Sequence, residues 1–316
     1  MPEPRAVVAL GGHAFVPPHG PLTMAAQFAF AEAAVEALVP VLERFEVVLT
    51  HGNGPQVGHM LTRVERALGQ AYALPLEVCV AETEGELGYV LAQTLHNVLA
   101  DRGVRRPVAS LLTQVVVDGD DPAFARPTKP VGPVYGPAEA ARMEAAGFAM
   151  AEDRGRGLRR VVPSPEPRAI LDVEIVDALL DRGALVVAAG GGGVPVVEQP
   201  GGRLRGVDAV IDKDRVSCLL AERIGARLLL ILTGVPNAYR DFGTPDASPI
   251  GAVSIGALRG LLEAGHFAPG TMGPKVEAAL RFASSGPDRR AVITDPPSLA
   301  AALEGRAGTR LRGEAR

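Results

Sequence analysis

Short apolar runs alternate along the chain with longer segments in which apolar residues recur every three or four positions. The short runs cover residues 6–10, 46–50, 108–117, 184–189, 227–233 and 290–294, and they are nearly continuous Val, Leu, Ile and Ala. Such runs predict strands that are buried on both faces of a parallel sheet. The longer segments predict helices over residues 22–44, 56–68, 84–100, 169–182, 213–224, 255–264 and 274–284. This alternation indicates βαβ units and an α/β fold, in which ligands bind at the carboxyl ends of the strands.

The alternation is interrupted over residues 118–168, which are rich in Pro, Gly and Arg. This stretch predicts a long excursion, either a small flap subdomain or an exposed connector. Two further expectations concern the C-terminal half of the chain. Residues 204–214 predict a turn that leads into a helix, and the polar tail from Gly305 onward predicts a frayed end.

Composition restricts the kind of protein this can be. Hydrophobic residues make up 47% of the 316 and the net charge is −4, so a disordered chain is excluded and a broad nucleic-acid surface is not expected. Two cysteines, Cys79 and Cys218, are too few for a disulfide framework or a multi-cysteine zinc site. Polar residues and Pro40 interrupt the apolar segment 22–44, and the N-terminus lacks the pattern of a signal peptide. We therefore predict a cytoplasmic protein that does not bind a membrane.

Only three of the 32 basic residues are lysines, namely Lys129, Lys213 and Lys275. A coding bias that replaces lysine with arginine wherever either residue serves explains the excess of arginine. The three retained lysines are then candidates for sites where a planar guanidinium cannot replace a compact point charge. We expect at least two of them to contact a phosphate.

Glycine-rich turns follow three of the predicted strands. They read GGHA from Gly11, HGNGPQVG from His51 and GGGGVP from Gly190. Glycine lets the backbone approach a ligand closely, and the amides at the start of a following helix face an anion. Three such loops predict a site for a phosphoryl or carboxylate group. The P-loop motif, the GxGxxG fingerprint and the protein kinase motif HRD do not occur, so those three classes are excluded.

Seven segments together resemble one family. VVALGGHA, THGNGPQVG, PTKPVGPVY, GRGLRRVVPSPEPR, AAGGGGVPVV, GVDAVIDKD and FAPGTMGPKVEAALRF are similar to the motifs of carbamate kinases, within the amino acid kinase superfamily. The resemblance implies a three-layer αβα sandwich around a mainly parallel sheet. It implies a single domain over residues 1–316, with an acceptor lobe at about 1–188 that includes a flap at about 118–168, and a nucleotide lobe at about 189–316.

The same resemblance implies an activity. A homodimer would transfer a phosphoryl group reversibly between ATP and carbamate, giving ADP and carbamoyl phosphate, with Mg²⁺ as cofactor and with a place in arginine metabolism. Lys213 corresponds to a lysine on the transferring phosphoryl group, and Asp214 to the carboxylate that orients the lysines. Lys275 corresponds to a lysine on the nucleotide phosphates, and Lys129 to a flap lysine that reaches toward the reacting groups. No protein side chain is assigned to the metal, which the phosphates would hold.

The resemblance also assigns two sets of binding residues. The loops for the acceptor and its phosphate contain Gly11, Gly12, His13, Gly52, Asn53 and Gly54. The nucleotide side contains Gly191, Gly192, Thr233, Asn237, Tyr239, Met272 and Gly273.

Several positions depart from the family pattern. His13 stands where Asn is usual, Gly234 and Pro236 replace polar residues in the base-binding segment, and Leu158 replaces an aromatic residue. Drift within a divergent branch is one interpretation, and a changed acceptor is another. Three functions therefore stay open: a carbamate kinase, a kinase of another small acid on the same fold, and a catalytically silent regulator that binds a nucleotide or an anion. Retention of the three lysines and of Asp214 argues against the silent regulator.

His13 leads to a prediction about pH. If its imidazolium lies beside the phosphoryl group, raising the pH removes a positive charge from the neighbourhood of an anion. The value of kcat/KM for carbamoyl phosphate should then fall between about pH 6 and pH 8.5, the range in which histidine titrates. His13→Asn should flatten that profile. An unchanged profile in the variant would show that His13 lies away from the reacting groups.

Overall fold

The computed structural model describes residues 4–12, 23–153 and 157–313, and strands alternate with helices along most of this length. The strands are β1 (Arg5–Leu10), β2 (Glu46–His51), β3 (Val108–Ser110), β4 (Gln114–Val117), β5 (Lys129–Tyr135), β6 (Met150–Glu152), β7 (Leu158–Val162), β8 (Pro167–Ile170), β9 (Leu185–Val187), β10 (Val194–Gln199), β11 (Arg203–Gly206), β12 (Leu228–Leu232), β13 (Tyr239–Arg240), β14 (Ser248–Pro249), β15 (Arg290–Thr294) and β16 (Thr309–Arg312). The helices are α1 (Met24–Leu42), α2 (Gly54–Ala67), α3 (Leu76–Asp101), α4 (Pro122–Ala125), α5 (Pro137–Ala145), α6 (Val173–Leu180), α7 (Lys213–Arg223), α8 (Ile255–Glu263), α9 (Met272–Ser284) and α10 (Leu299–Leu303).

Seven strands form a central sheet in the order β16–β15–β12–β1–β2–β9–β3, and every neighbouring pair is parallel except β15 with β16. Side chains alternate between its faces. Val7 and Ala9 belong to the hydrophobic cluster on one face, with residues of α6 to α9, whereas Ala6 and Val8 belong to the cluster on the other face, with residues of α1, α3 and α10. The chain is therefore a three-layer αβα sandwich, and the predicted α/β fold is confirmed.

The predicted strand over residues 108–117 is wrong as a single element. Its first part, β3, pairs with β9 in the central sheet, whereas its second part, β4, pairs with β10 in a separate four-stranded sheet of order β11–β10–β4–β8. The chain changes sheets between them, where Thr113 accepts a hydrogen bond from the N–H of Ala189 at 2.8 Å. No Gly or Pro marks this change, so an apolar run alone did not reveal it.

Two predicted helix starts are also wrong. The helix α3 begins at Leu76 rather than at Glu84, because Cys79 and Val80 extend its buried stripe by two turns. The helix α6 begins at Val173 rather than at residue 169, because residues 167–170 form β8. Asp172, with φ of 57°, separates that strand from the helix.

The helix α1 is long and apolar enough to cross a membrane by length and composition, a test that the core helix of a soluble protein also passes. Its inner face is buried in the hydrophobic cluster shared with α3 and α10. The buried residues are Ala31, Ala34, Val35, Leu38, Val41 and Leu42. Core packing thus accounts for one face of its apolar pattern, and the expectation that the chain does not bind a membrane stays a prediction.

The excursion predicted over residues 118–168 contains a small sheet of its own. The strands β5, β7 and β6 form an antiparallel sheet in that order, which we call the flap. The flap lies against α2, where a Cβ on Gly58 would come within 2.9 Å of the Cα of Gly132. Only a glycine at position 58 allows this approach. The division into an acceptor lobe and a nucleotide lobe stays a prediction.

The C-terminal half contains two more differences. Residues 203–206 form β11, which makes an antiparallel hairpin with β10, so the segment before α7 contains a strand and not only a turn. The tail after Gly305 is not frayed up to Gly313, because β16 forms the edge of the central sheet. Thr309 anchors this strand: its hydroxyl donates to the carbonyl of Ile250 at 2.5 Å and accepts from the N–H of Ala238 at 2.8 Å. In the sequence of β16 the two buried residues alternate with arginines, so the segment reads as a polar tail and does not indicate a strand.

Candidate active site

A cavity of about 770 Å³ opens at the carboxyl ends of β1, β2 and β12, the edge at which ligands bind in α/β folds. Most residues that the sequence assigned to a site line this cavity. They are Gly11, Gly12, Gly52, Asn53, Gly54, Lys129, Gly191, Lys213, Asp214, Thr233, Tyr239, Met272 and Lys275. Gly192, Asn237 and Gly273 are not among its lining residues, and His13 lies outside the described residues.

The loops after β1 and β2 form the floor of the cavity and touch each other. The N–H of Gly52 donates to the carbonyl of Leu10 at 3.0 Å, and a Cβ on Gly52 would lie 3.2 Å from the backbone nitrogen of Gly12. The helix α2 begins immediately afterwards, at Gly54. Its N-cap Asn53 makes no side-chain capping hydrogen bond, so the first amides of α2 remain available to an anion.

Asp214 holds two lysines at the cavity. Lys275 Nζ donates to Asp214 Oδ2 at 2.7 Å, and Lys213 Nζ lies 2.9 Å from Asp214 Oδ1. Apart from this ion pair, the buried Lys213 Nζ has no hydrogen-bond acceptor within the described ranges. Its remaining N–H groups are thus free to donate to a ligand in the cavity.

The sequence places these three residues through two helix starts. The helix α7 begins at Lys213 because Asp212 caps it, accepting from the N–H of Asp214 at 2.9 Å and of Arg215 at 3.4 Å. Lys275 lies in the first turn of α9, which begins at Met272. Since α7 packs against α9, the DKD and MGPK segments meet although they are far apart in sequence.

The charge of this cluster follows from burial and proximity. Burial lowers the pKa of Lys213, and the nearby charge of Asp214 offsets this shift only in part. At Lys275 burial also acts to lower the pKa, but the attraction of Asp214 outweighs it, so the net shift is upward. Burial alone would raise the pKa of Asp214, but the two ammonium groups hold it well below its usual range. Asp214 is therefore ionised and neutralises one lysine, which leaves one positive charge uncompensated in a buried site. Such a site favours an anion.

Lys129 brings the flap to the same cavity. It is the first residue of β5, and its Nζ donates to the carbonyl of Ile211 at 3.0 Å and lies 3.4 Å from Asp212 Oδ2. All three lysines of the chain therefore line one cavity. Asp212, which both caps α7 and contacts Lys129, was missed by sequence reasoning, although an Asp directly before a helix is a known N-cap signal.

The outer end of the cavity is lined by side chains of β13 and of neighbouring loops. The rings of Tyr239 and Phe242 lie 5.6 Å apart, and His266 Nδ1 lies 2.7 Å from Asp241 Oδ1. Of these four, the sequence indicated only Tyr239, because loop residues carry no periodic pattern. Asn237 instead donates its Nδ2 to the carbonyl of Ile250 at 2.9 Å and so stabilises the wall from behind.

Buried polar residues lie behind the floor, and sequence reasoning missed them. Thr83 Oγ1 accepts a hydrogen bond from Asn53 Nδ2 at 3.0 Å, and Glu84 Oε1 accepts one from the N–H of Gly190 at 2.9 Å. Burial raises the pKa of Glu84 to about 8 and lowers that of His51 to about 4. The available signal was a charged residue on the apolar stripe of α3.

The donor set at the cavity does not form a metal cage. No group of three or more His, Cys, Asp or Glu side chains that could hold an ion occurs in residues 4–12, 23–153 and 157–313. Asp212 and Asp214 are already engaged by lysines and helix amides. A divalent cation here would take most of its oxygen ligands from the phosphates of a ligand and from water.

Comparisons with known proteins agree with this geometry. The model of a family described as the amino acid kinase family matches residues 4–295. The carbamate kinase of Thermococcus kodakarensis is 42% identical over 313 residues, covering 97% of this chain and 98% of that protein. A protein of Escherichia coli K12 named carbamate kinase-like protein YqeA is 43% identical over 310 residues, covering 96% and 98%. The structure of a carbamate kinase from Giardia lamblia bound to AMP-PNP matches with a TM-score of 0.91, 37% identity and coverage of 98% of each chain.

Proposed function

The chain belongs to the amino acid kinase family, and on that premise we propose that it transfers a phosphoryl group reversibly between ATP and carbamate, giving ADP and carbamoyl phosphate. The observation that carries the proposal is the cluster of Lys213, Asp214 and Lys275. This buried cluster has an excess of positive charge, and it lies in a cavity whose floor contains the first amides of α2. Relatives named carbamate kinase align with nearly the whole chain. The site thus suits a reaction between two anions.

The chemistry needs positioning and charge neutralisation more than proton transfer. In the direction of synthesis a carbamate oxygen attacks the γ-phosphorus of ATP, a new O–P bond forms, and the bond between that phosphorus and the bridging oxygen breaks, so that ADP leaves. Carbamate is already an anion, and no general base is required. The transferring group carries negative charge on its equatorial oxygens, which ammonium groups and amides stabilise.

We propose the following roles for the lysines and Asp214. Lys213, whose ammonium has no polar partner other than Asp214 in the described chain, would donate to the transferring phosphoryl group, and Lys275 to the nucleotide phosphates. Asp214 orients both. Lys129 would reach the reacting groups from the flap, because its present contacts with Ile211 and Asp212 place it at the cavity wall.

The binding residues divide between the two ends of the cavity. The loops with Gly11, Gly12 and Gly52–Gly54 would hold carbamate and its phosphate, together with the amides at the start of α2. Tyr239 and Phe242 would contact the base of the nucleotide, with Thr233 and Met272 beside it. Gly191 lies against Asn53 and so belongs with the acceptor loop.

Mg²⁺ completes the proposal as the cofactor that enters with the nucleotide. It would neutralise charge on the phosphate oxygens. The carboxylates at the inner end of the cavity are occupied by lysines and amides. The ion would therefore be held mainly by phosphates, with this chain supplying lysines rather than metal ligands.

The test is ATP formation from ADP and carbamoyl phosphate, coupled to hexokinase and glucose-6-phosphate dehydrogenase. We expect turnover that depends on both substrates and on Mg²⁺, and none with acetyl phosphate in place of carbamoyl phosphate. Turnover with acetyl phosphate alone would assign another small acid as acceptor. Absence of turnover with either donor, together with retained binding of ADP by calorimetry, would assign a silent regulator.

The flap leads to a prediction about dynamics. Lys129 must approach the reacting groups during transfer and withdraw for product release, so the flap should be more mobile than the central sheet without ligand. Hydrogen exchange followed by mass spectrometry should show faster exchange in β5 to β7 than in β1 and β12. Exchange in the flap should slow with ADP and carbamoyl phosphate. Equally slow exchange with and without ligands would contradict a moving flap.

Four further properties belong to the same proposal. We infer a cytoplasmic enzyme of arginine metabolism that acts as a homodimer, and an acceptor lobe and a nucleotide lobe that meet at the cavity. The support is the family relationship and the position of the cavity between the β1–β2 loops and the α7–α9 helix starts. Sedimentation equilibrium at several concentrations tests the dimer.

A further inference from the structure

The turn over residues 189–193 adopts a backbone that ordinary residues avoid. Ala189 has φ of 53°, and Gly191, Gly192 and Gly193 have φ of 69°, 95° and 76°. A non-glycine residue in the left-handed region is strained and persists only where its surroundings hold it. The contacts around Ala189 therefore show what keeps the turn in place.

Two side chains hold this turn through its amides. Thr113 Oγ1 accepts a hydrogen bond from the N–H of Ala189 at 2.8 Å, and Glu84 Oε1 accepts one from the N–H of Gly190 at 2.9 Å. The same Glu84 oxygen accepts from the N–H of Thr113 at 3.2 Å. Glu84 thus connects α3 to two loops at once, and its side chain is buried.

With its backbone held in this way, the 189–193 turn contacts Asn53 in the loop after β2. A Cβ on Gly191 would overlap the side-chain amide of Asn53, and that amide donates to Thr83 Oγ1, on the residue before Glu84. Gly191 and Asn53 both line the cavity. We propose that Glu84 is a positioning residue, which keeps the 189–193 turn against Asn53 by accepting hydrogen bonds from the amides of Gly190 and Thr113.

The surroundings of Glu84 favour a neutral carboxyl group. Its Oε2 is buried and has no hydrogen-bond partner in the described part of the chain. Burial raises its pKa to about 8, which the amides of Thr113 and Gly190 only partly offset. No charged side chain on the described parts of α1, α2, β3, β9 or β10 contributes to this shift. A charge on Glu84 would therefore lie uncompensated behind the floor of an anion site.

One titratable side chain faces Glu84 from the end of β2. A Cβ on Gly190 would meet both the imidazole of His51 and the side chain of Glu84. Burial lowers the pKa of His51 to about 4, and Lys213 adds to this effect. His51 is thus neutral where Glu84 changes charge, and the transition of Glu84 should be observable by itself.

The first test compares Glu84→Ala with Glu84→Gln, and its kinetic part rests on the proposed function. Removal of the acceptor from two buried amides should displace the turn, and displacement of about 1 Å can cost about a hundredfold in rate. We expect Glu84→Ala to lower kcat/KM for carbamoyl phosphate by about tenfold to a hundredfold with little change in the KM for ADP. Glu84→Gln keeps an acceptor oxygen and should restore most of the loss. Glu82→Ala, an exposed carboxylate on the same helix, is the matched control.

The second test follows pH. A carboxyl group whose pKa is raised on folding contributes stability that is fully present at a pH below its unfolded pKa. That contribution is lost as pH rises through the folded pKa. The melting temperature of the wild type should therefore fall relative to Glu84→Gln between about pH 4.5 and about pH 8, and the difference should stay constant above that range. Ionisation of Glu84 should also lower kcat/KM as pH rises through about 8, and Glu84→Gln should lack this step.

The outcomes separate this inference from the proposed function. A wild type without phosphoryl transfer would overturn the function, and the melting curves would still test Glu84. A pH-independent difference in melting temperature, or an unrescued loss in Glu84→Gln, would overturn the role of Glu84. Equal losses of affinity for ADP and carbamoyl phosphate in Glu84→Ala would show a general structural effect instead.

Discussion

Replacing Lys213 with alanine should lower kcat by about two to three orders of magnitude, as for the loss of a donor that stabilises charge in a transition state. Its ammonium is buried, lies 2.9 Å from Asp214 Oδ1 and has no other hydrogen-bond acceptor in the described residues. Asp214 would keep its ion pair with Lys275 at 2.7 Å, so the fold should stay intact. The measurement is the coupled ATP-forming assay, with circular dichroism to confirm folding.

The controls for Lys213 are chosen for charge and for position. Lys213→Arg should also lose turnover, because a planar guanidinium does not fit where a compact ammonium is buried. Lys275→Ala should cause a loss of similar size. Arg223→Ala removes an exposed charge at the other end of the same helix and should leave turnover unchanged. Turnover of Lys213→Ala close to that of the wild type would contradict the assigned role.

Asp214→Asn should lower the free energy of unfolding by about 3–5 kcal/mol, the range observed when one partner of a buried ion pair is removed. Asp214 is 3% exposed and contacts both lysines. The variant leaves two buried ammonium groups without their shared carboxylate, and their mutual repulsion should also misplace them, so kcat should fall with stability. Chemical denaturation at neutral pH, with the coupled assay, measures both effects.

The pH dependence of this loss has a defined direction. The lysines hold the pKa of Asp214 below the ordinary value of 3.8. A group with a depressed pKa contributes stability above its unfolded pKa and loses it as pH falls. The difference between wild type and Asp214→Asn should therefore be constant above about pH 5 and shrink below about pH 4. Asp246→Asn, on an exposed loop, serves as the control. Equal denaturation midpoints for Asp214→Asn and the wild type would show that the cluster is not stabilising.

The layers and much of the inner site could be predicted from the sequence, because each rests on a local pattern. Continuous apolar runs revealed β1, β2 and β12, and glycine turns revealed the loops that follow β1 and β2. The retained lysines indicated the cavity before any fold was known, since a compositional bias made them conspicuous. The strand and loop signals are local in sequence, whereas the lysines were indicated by composition, and Lys213 and Lys275 meet only because α7 packs against α9.

The residues that could not be predicted depend on distant contacts. The break between β3 and β4 is fixed by Thr113 and its hydrogen bond with Ala189, seventy-six positions away. The role of Glu84 depends on amides from two other loops. Asn237 matched a family segment, yet its amide donates to the carbonyl of Ile250 and does not line the cavity. Tertiary hydrogen bonds of this kind leave no periodic signal in a single sequence.

The anchoring of β16 by Thr309 has a consequence for folding during synthesis. The Thr309 hydroxyl bonds the N–H of Ala238, the residue directly before Tyr239 on the cavity wall. This strand follows every other described element in the order of translation. The core layers can assemble while the chain is still on the ribosome. The hydrogen bond from Ala238 to Thr309, which holds the wall next to Tyr239, cannot form until residue 309 has left the exit tunnel. Nascent chains stalled before that point should therefore hold a formed lysine cluster, while the end of the cavity at Tyr239 is still open.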